Sequence, residues 1–151
     1  MSLLDQNKQT VSALFDALSS HRLEPLSSLF DPSFPGGLSA FEATATALIR
    51  AFPDIQYTLP SIVAEDDRVA VRFQWVGTHR GVFRAFAATG ARVKSTGLAL
   101  FTLRAGLITA IELETDRLGF LQQIGALPEN PAAVGPVAAP VVDPGRASGA
   151  V

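Results

Sequence analysis

The stretch LITAIELETDRLGFLQQIG, Leu107 to Gly125, decides how the chain is read, because an apolar strand ends there in three carboxylates and turns into a short helix. Glu112, Glu114 and Asp116 stand two residues apart. Successive side chains of a strand point to opposite faces. This spacing therefore predicts that the three acids share a face with Ile108 and Ala110, while Leu107, Ile111 and Leu113 share the other with Thr109 and Thr115. The second face reads as core and the first as mixed. An acid beside apolar walls is a candidate proton-transfer group, since burial and neighbouring charge adapt carboxyl groups to that task. Leu118 to Ile124 then reads as a short helix stopped by Gly125.

Upstream of this stretch the pattern is alternating. Arg92 to Leu103 reads as a strand joined to it through Arg104-Ala105-Gly106. Arg68 to Thr78 is another, with Val69, Val71, Phe73 and Trp75 alternating against Ala70, Arg72, Gln74 and Val76. Glu65-Asp66-Asp67 is the polar turn before it, preceded by Ile55, Tyr57 and Leu59 on one side of a strand that Pro60 confines to an edge or to its own end. Further upstream the period becomes helical. Leu4, Val11, Leu14, Phe15 and Leu18 form one stripe, Pro25 opens a second short helix, and Leu38 to Ala51 carries a third, for which Ser39 and Glu42 have the spacing of a capping box. Helices followed by hairpin-connected strands predict an α+β domain with the helices against one face of a curved sheet. Both alternating sets of the central strands carry apolar residues, so the face away from the helices predicts a second copy of the chain, a homodimer.

Composition narrows the class. With 151 residues and 48% hydrophobic content, the chain can bury one core of its own. Twelve Lys and Arg against fourteen Asp and Glu give a net charge of -2 without a basic block, which predicts no nucleic-acid partner and no anionic membrane. There is no cysteine, so disulfides and thiolate chemistry are excluded. Asp5 and Lys8 interrupt the first apolar residues, and no later run is long enough for a bilayer, so the expectation is a cytoplasmic protein without a signal peptide. Past Leu127 the composition shifts to Ala, Pro, Gly and Val, which predicts a domain over residues 1–127 and a tail over 128–151.

Several short motifs stand in a fixed order: FPDI at Phe52 to Ile55, EDDRV at Glu65 to Val69, GTHRG at Gly77 to Gly81, ATG at Ala88 to Gly90, Gly106 with Ile108, and D-x-x-G-x-x-Q-Q-I-G from Asp116 to Gly125. Together they resemble the SnoaL-like polyketide cyclases, members of the nuclear transport factor 2-like α+β cone superfamily, over roughly Leu3 to Gly125. The resemblance implies helices packed on a curved, mostly antiparallel sheet enclosing a pocket, and a homodimer. It also implies a hydrophobic small-molecule ligand and an intramolecular aldol ring closure that uses neither cofactor nor metal. Asp116 matches the aspartate that serves these cyclases as general acid/base. Glu112 stands where tryptophan is usual, and the histidine expected near Phe101 or Thr102 is absent. The same fold hosts isomerases, hydrolases and ligand-binding proteins. Two functions therefore follow: a cofactor-independent enzyme performing ring closure, isomerisation or hydration by acid/base catalysis, or a non-catalytic small-molecule-binding or dimerisation protein.

Each candidate residue has a plainer reading beside the chemical one. Asp116 is the expected catalytic group and equally a helix N-cap. Glu112 either enters the pocket as a catalytic acid or pairs with Arg72, and His79 is either a second proton-transfer group or the holder of a turn. Tyr57, Arg72, Phe73, Trp75 and Phe101 are the expected substrate-binding set; the aromatic members read equally well as core. Two histidines, His21 and His79, without a spaced carboxylate pair predict no metal site.

Overall fold

The computed structural model describes residues 1–130, so the tail expected over 128–151 lies outside the described residues from position 131 onward. The helical stripe of Val11, Leu14, Phe15 and Leu18 forms the buried side of helix α1 (Leu3–Ser19). Its first turn is closed by a reciprocal box, in which the Ser2 hydroxyl accepts from the Asp5 N–H at 3.1 Å and the Asp5 carboxylate accepts from the Ser2 N–H at 3.3 Å. After the helix, His21 adopts a left-handed φ of 57° and places its Nε2 3.1 Å from the Ile55 carbonyl. Pro25 then opens a single 3₁₀ turn (Glu24–Ser28), whose Leu26 is buried.

Helix α2 (Gly37–Ala51) begins earlier than its sequence pattern predicts. Gly36 is the residue before it, and Gly36 and Gly37 take φ values of 78° and 73°. Glycine holds that left-handed conformation without steric cost, so the chain turns into the helix while the Gly37 N–H still donates to the Phe34 carbonyl at 2.8 Å. Ser39 consequently lies inside the first turn, and the Ser39–Glu42 capping box does not form.

The four strands β1 (Gln56–Glu65), β2 (Arg68–Thr78), β3 (Arg92–Arg104) and β4 (Leu107–Thr115) pair antiparallel in the order β1-β2-β3-β4. The sheet is open, with the helices on one face, the α+β arrangement that the sequence predicts. Phe30 adds one parallel bridge to Ile108 beside β4. Strands β2 and β3 run in unbroken register from Arg68 opposite Thr102 to Thr78 opposite Arg92. Both outer strands are interrupted. In β1 the register shifts between Thr58 and Ser61, where Pro60 has no N–H to donate; in β4 Thr109 is an extra residue between the pairs Thr102–Ala110 and Leu103–Ile108.

That bulge corrects the expected face of the acids. Past it, Ile111 lies opposite Phe101, Leu113 opposite Ala99 and Thr115 opposite Gly97, so these share the inner face with Ile108, although Leu113 and Thr115 lie at its open edge and are exposed. Ala110, Glu112 and Glu114 lie opposite Thr102, Leu100 and Leu98 on the outer face. Glu112 and Glu114 therefore do not share a face with Ile108, because one inserted residue reverses a period of two. After β4 the chain turns back under the inner face as helix α3 (Arg117–Gln123), burying Phe120 and Ile124. Gln123 fastens it: its Oε1 accepts from the Lys94 N–H at 2.7 Å and its Nε2 donates to the Lys94 carbonyl at 2.8 Å.

Candidate functional site

Alternation along β1, β2 and β3 aims Tyr57, Phe73, Trp75 and Phe101 at the helices, and their rings occupy the concavity. Phe15 of α1 joins them, with centroids 5.6 Å from Tyr57, 5.7 Å from Phe73 and 6.1 Å from Phe101. Gly97 makes room for this packing, since a Cβ there would collide with the Phe73 ring and stand 2.7 Å from the Glu114 carbonyl. Burial pushes the Tyr57 phenol above its usual range, so the hydroxyl stays protonated and able to donate.

A second aromatic group surrounds His79 at the end of β2. The imidazole is fully buried and lies nearly parallel to Phe52, with centroids 5.2 Å apart; Phe52 in turn meets Trp75 at 4.8 Å and Phe83 and Phe120 at 6.0 Å each. Residues 80–91 fold over this chamber. The Arg80 and Gly81 N–H groups donate to the Ala51 carbonyl, and Phe83 and Phe86 exchange backbone hydrogen bonds at 3.0 and 2.9 Å to make a small flap. His79 Nδ1 is 3.0 Å from the Thr89 hydroxyl oxygen, but Nε2 has no hydrogen-bond partner. An unpaired buried polar atom costs roughly 1 to 3 kcal/mol, which makes His79 Nε2 and Asn7 Oδ1 the two exceptional side-chain atoms among the described residues.

Asp116 is the N-cap of α3. Its Oδ1 accepts from the Gly119 N–H at 2.8 Å, and its own N–H donates to the Thr96 carbonyl at 3.1 Å. Gly119 fits because a Cβ at that position would collide with the Asp116 carboxylate. Oδ2 has no hydrogen-bond partner among the described residues, and the residue is exposed in a shallow recess of about 270 Å³ lined by Arg72, Thr96, Leu98, Glu114, Thr115 and Asp116. Capping and proton transfer are thus compatible in this geometry, because they use different oxygens.

The expected site residues are not gathered in one place. Arg72 is on the outer face opposite Leu98, and Glu112 is exposed on the same face opposite Leu100, so neither reaches the aromatic concavity. The expected Glu112–Arg72 pair is also absent, because β3 separates their strands; the ion pairs among the described residues are Arg68–Asp67, Arg92–Asp54 and Arg104–Asp31. No hydrogen bond joins His79 to Asp116. Their connection is mechanical: Asp116 caps the helix whose Phe120 packs on Phe52, the ring on which His79 is stacked.

Two polar features had no counterpart in the sequence reading. Asp31 Oδ1 accepts from the Ser33 hydroxyl at 2.6 Å, the Ser33 N–H at 2.8 Å and the Arg104 guanidinium at 2.9 Å. The Ser33 bonds, with Arg104 behind them, hold that carboxyl down at about 2. Aspartate two residues before serine is the signal for such a side-chain turn. Asn7 gave no signal at all, since a lone asparagine on a helical stripe looks like a surface residue. Among the described residues no group of three or more His, Asp or Glu is arranged to hold a metal, and no helix is long and apolar enough to cross a membrane.

The sequence profile of SnoaL-like polyketide cyclases matches residues 7–124, which is most of the chain and runs from within α1 to just past the end of α3. The chain belongs to the SnoaL-like polyketide cyclase family. Solved structures show the same fold. TsrD from Streptomyces laurentii is 22% identical with a TM-score of 0.78, covering 84% of this chain and 99% of its own. A SnoaL-like polyketide cyclase from Agrobacterium tumefaciens is 19% identical with a TM-score of 0.71, covering 79% and 98%. IdmH of Streptomyces antibioticus, a proposed polyketide cyclase, is 27% identical with a TM-score of 0.71, covering 80% and 99%. No curated protein matches the chain.

Proposed function

We propose that this SnoaL-like chain is a cofactor-independent enzyme that moves protons on a small carbonyl compound, with Asp116 as the acid/base group. The observation that carries the reading is the free Oδ2 of Asp116 in a recess that also holds Arg72 and two threonines. In an aldol ring closure, Oδ2 removes a proton from the carbon between two carbonyls. The resulting enolate carbon forms a bond to a second carbonyl of the same molecule, and the new alkoxide takes the proton back. Mass is conserved. The Arg72 guanidinium and the Thr96 hydroxyl are the donors available to the developing oxyanion. Positioned acid/base transfer supplies about 10² to 10⁴-fold of rate. His79 is the second proton-transfer candidate, reached by a substrate only when the Phe83–Phe86 flap moves aside.

The assembly proposed with it is a homodimer through the β1 side of the outer sheet face, where Val63 is 59% exposed and lies opposite Ala70, outside the lining of the Asp116 recess. A cytoplasmic location and a hydrophobic ligand complete the proposal. The second reading, a binding protein without chemistry, is favoured by one observation: aromatic rings already fill the concavity. Incubation with aldol-prone aromatic polyketone esters, followed by chromatography for an isomer of unchanged mass, separates the two. Isomer formed by the wild type and lost in Asp116→Asn supports the enzyme; binding without isomer supports the alternative.

A further inference from the structure

We infer that the recess under the first turns of α1, at the opposite end of the sheet from Asp116, binds a small neutral molecule with a hydrogen-bonding amide or hydroxyl head on an apolar body. The recess has a volume of about 490 Å³ and is lined by Leu3, Asn7, Asp67, Leu103, Ala105 and Thr109 among others. Small-molecule sites typically span roughly 300 to 1,000 Å³.

Its polar centre is Asn7. Position 7 continues the buried stripe of Val11, Leu14 and Leu18, where an apolar residue would pack without loss, yet it carries a carboxamide that is only 2% exposed and whose oxygen has no partner. A half-turn of the carboxamide exchanges its oxygen and nitrogen, so the side chain can present an acceptor or a donor to the recess. Thr109, the inserted residue of β4, uses its hydroxyl proton on the Thr102 carbonyl at 3.1 Å and keeps its oxygen lone pairs as acceptors. Leu3, Leu103 and Ala105 supply apolar wall.

The rim selects a neutral ligand. It carries one carboxylate and one guanidinium, Asp67 with Arg68 at 4.0 Å and Arg104 with Asp31 at 2.9 Å, so it presents no net charge to an ion. The recess also lies where α1 meets the two turns, with Thr10 Oγ1 donating to the Gly106 carbonyl at 2.9 Å and the Leu103 N–H to the Asp67 carbonyl at 2.8 Å. A ligand seated there clamps α1 to the β1–β2 and β3–β4 turns and raises the melting temperature.

The test titrates the protein with benzamide, benzyl alcohol, benzylammonium and benzoate while amide resonances of Leu103, Ala105 and Thr109 are followed by NMR. Saturable shifts with the two neutral probes, and binding at least about tenfold weaker for the two ions, are expected. Asn7→Leu suits the core stripe and should fold, while binding falls about tenfold from the lost hydrogen bond; Thr109→Val is the second variant and should weaken binding in the same direction. Absence of saturable shifts, as for a recess that holds only water, overturns the inference. So does equal affinity in both variants, or binding of the ions as tight as that of the neutral probes.

Discussion

Replacing Asp116 by alanine removes two things at once, the cap of α3 and the free carboxylate oxygen, and two further substitutions separate them. The cap is one hydrogen bond of 2.8 Å to the Gly119 N–H at the head of a seven-residue helix. Losing such a cap costs about 1 kcal/mol. For a domain of this size that lowers the melting temperature by roughly 3 to 5 °C. Asparagine keeps a side-chain oxygen for the same N–H, so Asp116→Asn should melt within about 2 °C of wild type, because asparagine caps as well as aspartate. Turnover of an aldol-prone polyketone should nevertheless fall about 10² to 10⁴-fold in both variants. Gly119→Ala approaches from the donor side. Its Cβ collides with the Asp116 carboxylate and breaks the cap, while alanine gains about 1 kcal/mol over glycine within a helix, so the two effects nearly cancel. Calorimetry and a chromatographic rate for all three proteins make the comparison. Wild-type turnover in folded Asp116→Asn would refute the acid/base role, and an unchanged melting point in Asp116→Ala would refute the cap.

Three other outcomes are expected. His79→Phe keeps a ring against Phe52 and removes the unpaired Nε2; relief of roughly 1 to 3 kcal/mol outweighs about 1 kcal/mol for the lost Thr89 bond, so its melting temperature should not fall, and a drop of several degrees would show the imidazole to be satisfied. Asp31 has a folded value of about 2 against an ordinary 3.8, so its contribution is whole above about 3.8 and is lost as the pH falls toward about 2. Melting curves of wild type and Asp31→Asn should converge over that window, and parallel curves would contradict it. Val63→Arg should leave a monomer by light scattering where the wild type gives a dimer; a monomeric wild type removes the outer-face assembly.

The elements legible in the sequence were those whose side-chain period is uninterrupted. Val11, Leu14 and Leu18 announced α1, and the alternation of Val69, Val71, Phe73 and Trp75 gave β2 to the residue, because each pattern is read directly by burial on one face. The acids of β4 were misplaced for a physical reason: whether Thr109 is paired or inserted depends on how β3 meets it, and the string ITAIELE looks the same in both cases. The face expected for Glu112 depended on that parity, whereas that of Arg72, on the uninterrupted β2, did not. Asp116 was legible as a cap because that role follows from its place between strand and helix. His79 was legible by position only, since its complete burial is created by residues 80–91 folding back onto Ala51.

The interruptions in the outer strands bear on how the chain behaves in a crowd. A sheet edge offers unpaired N–H and C=O groups to any extended peptide, and long flat edges recruit further strands into fibrils. Here β2 and β3, the regular pair, are interior, while each edge strand is broken: β1 by Pro60 within its register shift, β4 by Thr109 and then by Glu112 and Glu114. Phe30 already occupies the β4 edge at Ile108. An incoming strand therefore finds no continuous ladder on either side, and a chain with 48% hydrophobic residues gains resistance to amyloid-type stacking from the same irregularities that shape its sheet.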